Sequence, residues 1–317
     1  MRMVAVVVSL GAVGCATPPP TGTPVRVEIP RGATLAAIAD TLHKYDVIDV
    51  PRWFRIYTKL SGHERAIQAG VYDLHRHRPV GEVLTALVTG GGAYQRLAVP
   101  EGLMLTEVAV QVQRQLSLPA ESVLAAARDT ALLARVDPGA RSLEGYLFPS
   151  THYVPIHATA RDVVRQMVAE FEVHWRPEWT ARLAELKLTR HQLVTLASII
   201  EGEVRLDRDR RYVSSVYHNR LRAGWRLQAD PTVIYGLGRR RRLYEKDYQL
   251  RSPYNTYQID GLPPGPIGQP GAASIEAALY PAETDFFFLV AQADGSHVFS
   301  RTLREHLAAV QRIRRER

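Results

Sequence analysis

The pattern that most restricts this chain is a short unit that it uses twice. Val27-Glu28-Ile29-Pro30-Arg31-Gly32-Ala33-Thr34-Leu35 is echoed 70 residues later by Leu97-Ala98-Val99-Pro100-Glu101-Gly102-Leu103-Met104-Leu105. Each copy reads as a strand, a Pro-x-Gly turn and the start of an amphipathic helix. Strands that feed directly into helices exclude an all-α or all-β chain. Two copies are too few for a solenoid, which needs three or more. The expected class is α+β. In the first copy Val25, Val27 and Ile29 alternate with Arg26 and Glu28, as a half-buried strand requires. Thr34 can cap a helix that carries Leu35, Ile38, Ala39 and Leu42 on one face. A second helix is expected over residues 51–60, a return strand over 71–74 and a third helix over 80–87, with Gly90-Gly91-Gly92 as a break.

The chain has 317 residues, 46% apolar and 23% charged. Such a balance excludes wholesale disorder, and the length suits one large domain or two to three smaller ones. The 22 Gly and 20 Pro residues follow no three-residue period, which excludes a collagen-like fibre. No apolar run reaches the roughly 18 residues of a strong membrane span. A lone cysteine rules out an internal disulfide framework and any multi-Cys metal site. The net charge of +8 would favour anionic partners (nucleic acid, lipid headgroups or an acidic polymer), or it is simply a solvated basic surface.

The N-terminus has the layout of an export signal. Arg2 supplies a positive charge, and Met3 to Gly14 is a weakly polar or apolar run of 12 residues, short for a membrane span. Ala12-Val13-Gly14-Cys15 resembles a bacterial lipobox, with Ala12 where Leu is usual. Three readings stay open: a lipoprotein modified at Cys15, an uncleaved membrane anchor, and a plain cleaved signal. All three place the rest of the chain outside the cytoplasm. Thr17-Pro18-Pro19-Pro20-Thr21-Gly22 reads as a stiff spacer.

The chemistry concentrates in the second half. A helix is expected over residues 189–204, capped by Thr189 with Gln192 at capping-box spacing, and with Leu193, Leu196, Ala197, Ile200 and Val204 on one stripe. Near its end stand Glu201 and Glu203. At about 100° per residue they point about 200° apart, on opposite shoulders of the stripe. Either could be a desolvated general acid or a solvated helix-end glutamate, and periodicity does not choose between them. Beyond the helix, Leu227-Gln228-Ala229-Asp230-Pro231-Thr232, Ser252-Pro253-Tyr254-Asn255-Thr256-Tyr257 and Gly261-Leu262-Pro263-Pro264-Gly265-Pro266-Ile267 are loop-like. They are rich in groups that match sugar hydroxyls and faces. Prolines 263, 264, 266 and 270 would stiffen the last of them. A metal site is not expected: His75 and His77, or His152 and His157, have no helical carboxylate pattern beside them. No Gly-x-Ser-x-Gly elbow is present. Arg239 to Arg242 and Arg314, Arg315 and Arg317 read as solvated basic segments with no nucleic-acid motif.

Taken in order, Leu143-Glu144-Gly145-Tyr146-Leu147-Phe148-Pro149, Leu196-Ala197-Ser198-Ile199-Ile200-Glu201 and the three loop blocks resemble the endolytic murein transglycosylase family (MltG, also called YceG-like). The likeness runs from about residue 25 to 307. It implies residues 25–92 as a LysM-like glycan-binding module and 93–317 as a transglycosylase catalytic domain. Ahead of them it implies a signal, lipobox or anchor at 1–15 and a Pro-rich linker at 16–24. It also implies cleavage of nascent peptidoglycan strands between N-acetylmuramic acid and N-acetylglucosamine, at the membrane and on its extracytoplasmic side, alongside penicillin-binding synthases. Family resemblance picks Glu201 as the catalytic residue. Glu203 matches a second acidic position, Gly202 stands where Lys is frequent, and Ser150 stands where Asp is often seen. Gln228, Asp230, Thr232, Tyr254, Asn255, Thr256, Tyr257 and Glu144 are the expected substrate-binding residues. No cofactor is expected, because one carboxyl can protonate the leaving oxygen and then deprotonate the muramoyl C6 hydroxyl as it closes on C1. The alternative is a non-catalytic peptidoglycan-binding envelope protein.

Overall fold

Gly32 and Gly102 both take positive φ, +77° and +75°, so the repeated Pro-x-Gly turns use glycine for a left-handed backbone that other residues rarely adopt. The structure, a computed structural model, describes residues 23–90 and 93–316. The lipobox, Cys15 and nearly all of the Pro-rich linker fall in residues 1–22, outside the described residues.

The described chain divides into two units, one ending at Tyr94 and one beginning at Gln95. The first contains β1 (Val25–Ile29), α1 (Leu35–Lys44), α2 (Pro51–Leu60), β2 (Gly70–Leu74) and α3 (Val80–Thr89). The strand β3 (Ala93–Ala98) starts in the first unit and continues into the second. β1 and β2 are antiparallel, from Val25 opposite Leu74 to Ile29 opposite Gly70. Val71 and Tyr72 of β2 pair with Tyr94 and Ala93. Thr34 caps α1, accepting the Ala37 N–H at 3.2 Å, and Leu35, Ile38, Ala39 and Leu42 are buried as the periodicity requires. Gly90 closes α3 at φ +68°.

The second unit is mostly helical: α4 (Leu105–Leu116), α5 (Ala120–Ala126), α6 (Thr130–Val136), then β4 (Thr151–Pro155), α7 (Ala160–His174) and α8 (Pro177–Leu186). It continues with α9 (Arg190–Glu203), α10 (Arg210–Arg222), α11 (Asp230–Gly236) and α12 (Ala272–Leu279), and ends with β5 (Phe288–Ala291), β6 (His297–Ser300) and α13 (Leu303–Arg315). β5 and β6 form an antiparallel pair. Helices with antiparallel strands make the protein α+β.

α9 is the axis of this unit. Thr189 and Gln192 form the expected capping box, with Thr189 N–H to Gln192 Oε1 at 2.9 Å. The pattern led us to expect one apolar face, but every residue from Leu193 to Ile200 is buried. α8, α10, α11 and α12 surround the helix on several sides. Its two buried hydroxyls are satisfied: Thr195 donates to the His191 carbonyl and Ser198 to the Thr195 carbonyl, both at 2.7 Å. Each fully buried Leu or Ile contributes about 1.5–3 kcal/mol, so the helix is a rigid rod that carries what stands at its end.

Candidate active site

Glu201 and Glu203 do point to different surroundings. The Glu201 carboxylate accepts the Gly271 N–H at 3.0 Å and lies 3.3 Å from Arg210 Nη1, with 9% of its side chain exposed. Gly271 is the N-cap of α12, so a helix N-terminus faces this carboxylate. Arg210 opens α10 and also donates to Ser274 Oγ and to Asp207 Oδ1. Glu203, on the other shoulder, accepts from Tyr217 Oη at 3.3 Å, and burial, followed by the nearby Asp230 charge, pushes its carboxyl up to about 7. It lines a cleft of about 330 Å³ together with Asp230, Arg205, Pro231 and His297. Gly202 lies between the two shoulders. A Cβ there would come within 2.8 Å of Pro231 Cβ, so α9 and α11 can only approach this closely through glycine.

A second carboxylate accompanies Glu201. Glu101, the variable residue of the second Pro-x-Gly turn, reaches the same glycine: a Cβ on Gly271 would fall on the Glu101 carboxylate. Partial burial, then the Glu201 charge, raises the Glu101 carboxyl above the usual range. The turn is locked in place by backbone. Gly102 N–H donates to the Gln269 carbonyl at 2.7 Å, and Gln269 N–H donates to the Leu103 carbonyl at 2.9 Å.

The substrate-binding residues expected from the sequence separate into two groups. Gln228 and Asp230 are exposed, and Tyr254 and Tyr257 are half-buried. Gln228 holds φ +49°, an uncommon value for a residue with a side chain, while its N–H donates to the Thr256 carbonyl at 3.1 Å. Asp230 opens α11 and accepts from Tyr257 Oη at 2.7 Å. It lines the same cleft as Glu203, and the Tyr257 hydroxyl is raised by burial and then by Asp230. Tyr254 packs against Tyr235, with ring centroids 4.6 Å apart.

Thr232, Asn255 and Thr256 expose nothing, and Glu144 only 4%. In all four the polar atoms are engaged by the protein itself. Thr232 and Thr256 hydroxyls are 2.8 Å apart, and Thr256 accepts the Ala229 N–H at 3.0 Å. Asn255 donates to the Tyr248 and Leu250 carbonyls at 3.0 and 2.9 Å. Glu144 accepts the Leu105 N–H at the start of α4, the Gln269 side-chain amide at 2.6 Å and Tyr235 Oη at 3.2 Å. Burial pushes the Glu144 carboxyl up to about 7. Gln269 also accepts the Leu147 N–H at 3.0 Å, and Ser198 Oγ accepts the Ile267 N–H at 3.0 Å. The Glu144–Phe148 block, the α9 helix and the Pro-rich loop are thereby tied together behind Glu201.

Sequence reading missed Glu101, Arg210 and Gly271. Glu101 sat in plain view inside a turn valued only for its Pro and Gly. Arg210 belongs to the charged stretch Arg205–Arg211, where nothing local marks one arginine out. In the Arg239–Arg242 run, exposed except for half-buried Arg241, Arg240 binds Glu107 at 2.7 Å and donates to the Gly102 carbonyl, and Arg241 pairs with Asp247 at 2.7 and 2.8 Å.

The model of the YceG-like family matches residues 27–312. The chain belongs to the YceG-like family. It is 33% identical over 301 residues to the endolytic murein transglycosylase of Bacillus subtilis, an alignment that covers 90% of this chain and 83% of that protein. Against the endolytic murein transglycosylase of Streptococcus pneumoniae serotype 2 the identity is 29% over 307 residues, covering 87% of this chain and 55% of that longer protein. The crystal structure of a yceG-like protein from Listeria monocytogenes superposes with a TM-score of 0.66 at 32% identity, covering 90% of this chain and 98% of that one.

Proposed function

We propose that this chain is a lytic endotransglycosylase of peptidoglycan, cutting glycan strands internally between N-acetylmuramic acid and N-acetylglucosamine and leaving 1,6-anhydro-muramoyl ends. The observation that carries the reading is the place of Glu201. It stands at the end of a helix buried from Leu193 to Ile200, with its oxygens gripped by one N–H and one guanidinium, in a chain matched over 90% of its length to the Bacillus subtilis endolytic murein transglycosylase.

In this reading Glu201 gives its proton to the glycosidic oxygen as the C1–O bond breaks. The Arg210 guanidinium and the Gly271 N–H stabilise the carboxylate that remains. The muramoyl C6 oxygen then bonds to C1, and its proton returns to Glu201, so atoms balance without water. Gln228, Asp230, Tyr254 and Tyr257 offer the accessible polar and aromatic groups for sugar, while Glu144, Thr232, Asn255 and Thr256 shape the loops that present them. The β–α–α–β order of the first unit, with its strands antiparallel, supports a LysM-like glycan-binding module. The substrate places the catalytic domain on the extracytoplasmic side. Residues 1–15, by a lipid on Cys15 or as an uncleaved anchor, would hold it at the membrane, next to penicillin-binding synthases that make the strands.

The test is a digest of purified peptidoglycan followed by mass spectrometry. Wild type should yield anhydro ends, each lighter by one water than a reducing end. Glu201→Gln should lower the rate by about 10²–10⁴-fold. Mainly reducing ends would replace this mechanism with hydrolysis. Intact sacculi with protein bound would favour the non-catalytic binder.

A further inference from the structure

α2 carries its apolar residues on the wrong side for a core helix. Only Phe54 and Thr58 are buried. Trp53 is 63% exposed, Ile56 38%, Tyr57 47% and Leu60 84%. At 100° per residue these four fall within an arc of about 100° on the outer face. Arg55, Lys59 and Arg52, all exposed, fall within the neighbouring arc of about 60°. Among the described residues none of the three cations has an ion-pair partner, and the helix contains no acidic residue. Val50, 46% exposed, adds an apolar residue at the N-cap of the helix.

We propose that the outer face of α2 docks on an anionic lipid surface. Trp53, Ile56, Tyr57 and Leu60 would enter the boundary between headgroups and acyl chains, with Arg52, Arg55 and Lys59 against the phosphates. An apolar arc beside a cationic arc, with aromatic rings among the aliphatics, is the composition of an interfacial helix. The other occupants fit less well. Glycan would use the flat faces of Trp53 and Tyr57 but has no use for Leu60 and Ile56, which offer neither a hydrogen bond nor a flat face. A second copy of the chain meeting this face with α2 antiparallel would set three cations against three cations, and with α2 parallel the partner helix would still offer them no acidic residue. The chain's own course also favours lipid. The apolar run that ends at Gly14 is joined to β1 at Val25 by ten residues, at most about 36 Å long when extended, so an N-terminus at a bilayer keeps this unit close to it.

The experiment uses the full chain with vesicles of phosphatidylglycerol or of phosphatidylcholine, each containing a lipid spin-labelled near the headgroup. Subtracting the fluorescence of Trp53→Phe from that of the wild type isolates Trp53. The Trp53 signal should be quenched by the phosphatidylglycerol vesicles, and less so as salt rises. Arg55→Glu, a change of two charges, should weaken docking on the order of 25-fold, and Leu60→Asp should also reduce the quenching, both with an unchanged denaturation midpoint. An unquenched Trp53 on chain that sediments with the vesicles would overturn the proposal. So would equal quenching in both lipids, shielding of Trp53 that rises with protein concentration without lipid, or shielding by soluble glycan fragments.

Discussion

Glu201 and Glu203 are separated by one glycine, yet tertiary packing gives them different partners: a guanidinium and a helix N-terminus for one, a tyrosine and Asp230 for the other. Asp230 lines the same cleft as Glu203, whereas Glu101 is the carboxylate beside Glu201 at Gly271. Glu101→Gln separates the two chemistries. If water is the nucleophile and Glu101 its base, the variant should lose about 10²–10⁴-fold in rate, and the wild type should make reducing ends. If the C6 hydroxyl is the nucleophile, the variant should keep anhydro ends as its only muramoyl product, lose much less rate, and shift mainly the pH at which the rate falls. Product masses and a pH–rate profile on both proteins decide it.

Among the elements, the loop of residues 262–271 matters because it is fastened on both sides. Its backbone bonds to the Pro100–Leu103 turn, and Ser198 on α9 accepts its Ile267 N–H. Gly268 is where two backbones touch: a Cβ there would lie 2.9 Å from the Gly102 carbonyl oxygen. Gly268→Ala must therefore push turn and loop apart. We expect about 1–3 kcal/mol of lost stability from overpacking. Displacing Glu101 and Gly271 relative to Glu201 should slow cleavage by about 10²-fold. Urea denaturation and anhydro-product assays on the same variant test both. Unchanged stability and rate would mean that turn and loop are not locked.

For the catalytic unit as a whole, buried carboxyls set a dependence on pH. Folded Glu144 keeps its proton up to about 7, while its ordinary value is 4.5. Between these values the folded state holds more protons than the unfolded chain. Its contribution is therefore a cost that is absent below about pH 4.5, grows as pH rises through the window and is complete above about 7, amounting to at most about 3 kcal/mol. His152 and His218 act the other way: burial lowers both, so acid charges them more readily in the unfolded chain and costs stability below about 6.5. The difference between wild type and Glu144→Gln isolates the glutamate. Measured by urea denaturation, it should be larger at pH 7.5 than at pH 5, in favour of the variant; a difference that does not change with pH would place the ionisation elsewhere.

What local sequence could determine here was whatever depends on neighbours in the chain. The Pro-x-Gly turns, the Thr34 and Thr189 caps, the extents of α1, α2 and β2 and the helix ending at Glu203 follow from backbone preference and periodicity, which act over a few residues. The order of five motif blocks was also enough to point to the family whose model matches residues 27–312. Periodicity failed where several elements meet. α9 reads as one-sided because its pattern records where the apolar residues are, not how many helices will surround it. Thr232, Asn255, Thr256 and Glu144 look like ligand groups in sequence, since a polar side chain that satisfies a distant backbone is chemically the same as one that awaits a sugar. Glu101 and Gly271 meet Glu201 only in space, from positions about 100 and 70 residues away along the chain. That encounter is the product of packing around α9, and no rule that reads neighbouring residues contains it.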